Sequence, residues 1–135
     1  MDRLRASEWL QISETELDRA TRFLEQDDVY AAYCLDQAVQ ASLFAFLLHH
    51  MEELEPDVEY GLEDLLSRAS ELDREVRARG DTLRSVAALS EMARHPGRRP
   101  EEVGLEQTLR AIEAARQSTS LFVEHVRKAL SSEGE

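Results

Sequence analysis

With 28 acidic against 16 basic side chains in 135 residues, net −12, the chain is sized for one domain and too acidic for general nucleic-acid binding, where Lys and Arg neutralise phosphate. Its 42% apolar composition supports a folded core, and its single cysteine, Cys34, excludes an intramolecular disulfide and fits a reducing compartment. The opening MDRLRASEWL has no apolar run of signal-peptide length, and no apolar segment reads as approaching the ~20 residues of a membrane span, so the expectation is a cytoplasmic protein without membrane contact.

The hydrophobic period is helical throughout, and five helical segments are predicted. The first covers roughly 6–26, with Ser7 as a plausible N-cap and Leu10, Leu17, Ala20 and Leu24 near one face. Gln26-Asp27-Asp28 marks a break, and Asp27 or Asp28 can cap the second segment, which runs to about Glu53. That second segment is the most informative stretch. In DVYAAYCLDQAVQASLFAFLL no Gly or Pro interrupts, and Ala31, Leu35, Ala38, Val39, Ser42, Leu43 and Phe46 recur at three- and four-residue steps. Phe44, Leu47 and Leu48 add a second apolar face, which predicts burial on more than one side, in the centre of a bundle or, as favoured here, across a dimer. Pro56 ends the helix, because it cannot continue the hydrogen-bond ladder.

A short third helix is expected at about 61–71, with Leu62, Leu65, Leu66 and Ala69 on one face. The fourth covers roughly 73–93, with Val76, Leu83, Val86, Ala87 and Leu89 or Ser90 as its apolar set, and Gly80-Asp81 is a possible interruption. His95-Pro96-Gly97-Arg98-Arg99-Pro100 cannot form a regular helix and reads as a connector. The last helix is expected from about 101 to 131, with Leu105, Leu109, Ile112, Thr119, Val123, Val126 and Leu130 at 3-4 spacing, broken by Arg116. Residues 131–135 form a short polar tail. Short links between long helices imply antiparallel neighbours. The expected fold is therefore a single all-α domain over 1–135, core about 5–130, built as an up-and-down antiparallel bundle of four or five helices.

The charge is uneven. Residues 1–67 carry net −12, residues 68–99 net +3 and residues 100–135 net −3. Within the positive third, Arg94, His95, Arg98 and Arg99 lie in six residues with no acid among them, just before a helix N-terminus where free N–H groups favour negative charge. They are the candidate ligand- and phosphate-binding residues. The plainer reading is a basic loop that balances an acidic body. His49-His50-Met51-Glu52-Glu53 is the most metal-like run, but no second helix offers a matching pair, so it reads as a wet helix end and no metal site is assigned. A surface phosphoryl acceptor at His49 or His50 rests on nothing beyond the bundle shape. Cys34 reads as a small core residue. Trp9, Phe44, Phe46 and Phe122 read as core or dimer contacts. No arrangement suits nucleophilic catalysis, no Gly-rich phosphate loop exists, and no cofactor is implied.

Four motifs in order resemble those of HEPN-domain proteins. They are Glu8-Trp9-Leu10 before an acidic first helix, the Tyr30 to Leu48 helix with Asp36-Gln37-Ala38-Val39-Gln40 inside it, Gly61-Leu62-Glu63-Asp64-Leu65-Leu66, and Arg94-His95-Pro96-Gly97. In the family's usual wording Glu63 would be His, His95 would be Tyr and Gly97 would be Asp. The resemblance implies a homodimer, and a partnership with a minimal nucleotidyltransferase as in toxin–antitoxin pairs, with nucleotide or RNA as possible ligand. It also implies, for the ribonuclease members, an Arg followed after four to six residues by a His. No Arg here has a His five to seven positions later; Arg116 and His125 are nine apart. The Arg…His-x-Tyr segment whose tyrosine accepts AMP in some pairs is missing too, since Tyr30, Tyr33 and Tyr60 lie in other contexts. The leading expectation is thus a non-enzymatic binding or regulatory module with no catalytic residues. The alternatives are a metal-independent ribonuclease, with Arg94 positioning phosphate and His95 as general acid/base, and a purely structural interaction bundle.

Overall fold

The computed structural model describes residues 5–24, 26, 28–50, 60–94 and 105–132. Six helices lie among them: α1 (Ala6–Phe23), α2 (Asp28–His49), α3 (Leu62–Leu72), α4 (Arg74–Ala78), α5 (Gly80–Arg94) and α6 (Leu105–Ser132). No strand occurs among the described residues. The all-α antiparallel bundle expected from the periodicity is the fold.

The largest departure is the fourth predicted helix, which divides into α4 and α5. Arg79 takes φ −92° and ψ 0°, a bridge conformation, and Gly80 opens a new helix. The break therefore falls at Arg79, directly before the Gly80-Asp81 pair that marks an interruption in the sequence. A second junction sits at Asp73. Its extended backbone (φ −146°, ψ 122°) ends α3, and its N–H donates to the Ala69 carbonyl at 3.0 Å. Its carboxylate then starts α4, with Oδ1 accepting from the N–H groups of Glu75 at 2.7 Å and Val76 at 3.4 Å. At the chain's start the predicted cap Ser7 lies inside α1, and Arg5 holds the cap position. There the Glu8 carboxylate reaches back to accept from the Arg5 N–H at 3.0 Å, one half of a capping box. Asp28 is the first residue of α2; Asp27, residues 51–59 and residues 95–104 lie outside the described residues.

α2 is the central element and packs against α1, α3, α5 and α6. Ala31, Leu35, Ala38, Val39, Leu43, Ala45, Phe46 and Leu47 are buried on several sides of it. The bundle itself thus accounts for both apolar faces of this helix, with no second copy needed for them. One statement read from the sequence needs correction. Tyr30–His49, 20 residues, is long and apolar enough to cross a membrane by length and composition. It is a core helix here, with 72% of its most apolar stretch buried inside the bundle. Its apolarity answers four packing neighbours.

α1 and α2 run antiparallel. Trp9 stacks on Phe44 at one end (centroids 4.7 Å) and Phe23 meets Tyr30 edge-on at the other (5.1 Å). Between them the small buried residues Ser13 and Ala20 let α1 lie close over α2, and the Ser13 hydroxyl donates to the Ala38 carbonyl at 2.7 Å. The rest of the core is filled by Leu65, Leu66 and Ala69 of α3, Val76 of α4, Leu83 and Val86 of α5, and Ile112, Phe122, Val123 and Val126 of α6.

Candidate functional site

The four residues singled out from the sequence straddle the edge of the described structure. Arg94 is the last residue of α5. His95, Arg98 and Arg99 lie outside the described residues, in the segment between α5 and α6. In the chain this segment joins α5, which ends at Arg94, to α6, which begins at Leu105.

The remaining arginines of the basic third are largely engaged within the chain. Arg84 donates to Glu63 at 2.7 Å and to Asp81 at 3.2 Å. Arg79 pairs with Glu75 at 3.1 Å, Arg77 donates to the Ser70 carbonyl at 2.9 Å, and Arg68 lies 5.4 Å from the Tyr60 ring centre. A positive local balance in sequence thus does not become a bare basic patch on α3–α5.

Arg116 and His125, the nearest approach to a spaced Arg…His pair, are held apart by different partners. Arg116 grips Glu113 through two nitrogens, at 3.0 and 2.6 Å, and this hydrogen-bonded pairing holds the Glu113 carboxyl below its ordinary range. His125 instead bridges two acids across the bundle. Its Nε2 lies 3.0 Å from Asp73 Oδ2 and its Nδ1 lies 2.8 Å from Glu75 Oε2. Burial raises the Asp73 carboxyl, but the His125 ring and the N–H groups of Glu75 and Val76 outweigh it and bring it below the usual value. Both ring nitrogens of His125 thus face protein carboxylates. This trio was not visible in the sequence. Asp73 two residues before Glu75 is a legible cap, but nothing local ties it to a histidine 52 positions on.

Cys34 is fully buried, as expected of a small core residue. Burial first, and then a hydrogen bond to Glu16, push its thiol up to about 11. The Tyr30 hydroxyl sits against the same sulfur, and its own ionisation is pushed upward by that neighbour. At pH 8 only about one thiol in a thousand is then ionised. Native protein is expected to react with a disulfide reagent orders of magnitude more slowly than the urea-unfolded chain. Equal rates in a colorimetric thiol assay would show the thiol to be open. Among the described residues no three His, Cys, Asp or Glu side chains are grouped to hold a metal, and His50 rests its ring on Phe46 (4.4 Å).

A family model described as HEPN domain matches residues 6–128, nearly the whole chain. No curated protein and no solved structure matches the chain.

Proposed function

The chain belongs to the HEPN domain family, and on that premise we propose that it is a non-enzymatic binding module, the partner of a minimal nucleotidyltransferase, with the Arg94, His95, Arg98 and Arg99 connector as its contact for a phosphate-bearing ligand. The observation that carries this reading is the missing catalytic pair. No Arg is followed by a His at the ribonuclease spacing, and His125 of α6 has both ring nitrogens turned to carboxylates. A net charge of −12 further confines any phosphate contact to a local basic segment.

The test is a calorimetric titration of the purified protein with ATP and with a short single-stranded RNA at ~0.1 M salt, where surface charges are partly screened. Binding by wild type that is lost in Arg94→Ala supports the connector as the contact. Absence of heat with either ligand removes the nucleotide-linked role and leaves the protein partner alone. Shortening of the RNA during the titration that disappears in His95→Ala favours the ribonuclease reading.

A further inference from the structure

The outward face of α6 carries a charge pattern opposite to that of the chain. From Arg110 to Lys128 there are four basic and two acidic side chains, in a protein of net −12. Both acids are already held, Glu113 by two nitrogens of Arg116 at 3.0 and 2.6 Å and Glu124 by Arg127. Arg110, Ala114, Gln117, Leu121 and Lys128 are all exposed. At steps of four, three, four and seven residues they fall on one stripe, about 27 Å long.

Leu121 stands near the middle of that stripe and, at 60% exposure, is the most open large apolar side chain among the described residues. A second, Leu72, 43% exposed, is carried toward it. His125, one turn beyond Leu121, lies 3.0 Å from Asp73, which directly follows Leu72. Exposed leucines with a cation at either end, on a protein that is otherwise acidic, are complementary to a helix whose apolar stripe is edged by Glu or Asp. Ala114 is too small to hold such a helix off. Nucleic acid fits less well, because Arg110 and Lys128 are about 27 Å apart, several phosphate spacings, and Leu121 between them offers a phosphate nothing. Nor does α1 of another copy supply the helix, since its four acids sit on an element that already spends its apolar stripe on α2.

We infer that the outward face of α6 docks an acidic amphipathic helix of a different protein, with Leu121 as the apolar anchor and Arg110 and Lys128 as the charged ends. One helix laid on this stripe covers on the order of 400 Å² per partner, at the small end for a specific contact, which sets an expected dissociation constant of about 10–100 μM. The inference rests neither on what the connector binds nor on the enzymatic class of the partner.

Fluorescence anisotropy at ~0.15 M salt tests it with a labelled probe helix of about 18 residues, built from Ala, Leu and Glu with its leucines three and four residues apart and glutamates on either side. Wild type is expected to bind this probe in the stated range and a twin with Lys in place of Glu at least about tenfold more weakly. Leu121→Asp is expected to weaken binding about tenfold or more, and Lys128→Glu about threefold. Ile12→Asp, on α1, is expected to leave it within about twofold. All three positions are exposed, and far-UV circular dichroism confirms that each variant is folded. No binding of the acidic probe at about 500 μM, equal binding of the Lys twin, indifference to Leu121→Asp, or an equal loss in Ile12→Asp would each overturn the assignment. A single-stranded RNA that binds and is weakened by Lys128→Glu, while the acidic probe is not, would give the face to nucleic acid instead. Self-association seen by light scattering and abolished by Leu121→Asp would give it to a second copy, and either result overturns the proposal.

Discussion

Phe46→Ala is expected to lower the unfolding free energy by about 3–5 kcal/mol, the usual cost of emptying a fully buried aromatic site. Phe46 is completely buried in the most enclosed part of α2, within the same core as Leu43, Leu47 and Leu65, and the His50 ring covers it from the next turn. A domain of this size has only about 5–15 kcal/mol in total, so the variant loses about a fifth or more and its melting temperature falls by roughly 10–20 °C. Urea denaturation followed by circular dichroism measures it. Phe44 is the internal comparison, since its ring is half-buried and stacked on Trp9 at the bundle surface. A loss at Phe46 no larger than at Phe44 would mean that α2 is not the centre of the core.

The centre of this fold was legible because α2 advertises it. A 22-residue helix without Gly or Pro, apolar around most of its circumference, has to be surrounded, and the described structure surrounds it with α1, α3, α5 and α6. What that pattern leaves open is what does the surrounding. Apolarity on two faces is the same signal whether the second face meets another helix of the chain, another copy or lipid, and here four helices of the same chain meet it. The helix restart at Gly80 was legible from the Gly80-Asp81 pair, while the bridge conformation of Arg79 that makes it has no sequence mark of its own. The connector from Arg94 to Arg99 was legible as composition alone. Its basic residues stand out in an acidic chain, while the pairing that absorbs Arg77, Arg79 and Arg84 depends on partners up to 21 residues away.

Asp73→Ala is expected to cost about 2–3 kcal/mol at pH 7, and Asp73→Asn separates the two reasons. The first is the helix cap, with Oδ1 on the N–H groups of Glu75 and Val76, worth about 1 kcal/mol. The second is the contact with His125, worth about 1–2 kcal/mol after discounting for side chains that are 22% and 21% exposed. Asparagine keeps the cap and removes the charge. Because the folded Asp73 carboxyl titrates below its ordinary value of 3.8, its contribution is fully present above that pH and disappears as pH falls through the lower, folded value. Wild type is thus expected to lose stability steeply below about pH 4, and Asp73→Asn to be weaker at pH 7 but shallower over that acid limb. Urea titrations at pH 7, 5, 4 and 3 distinguish the two curves. Parallel curves would show that the ionised carboxylate contributes nothing to stability.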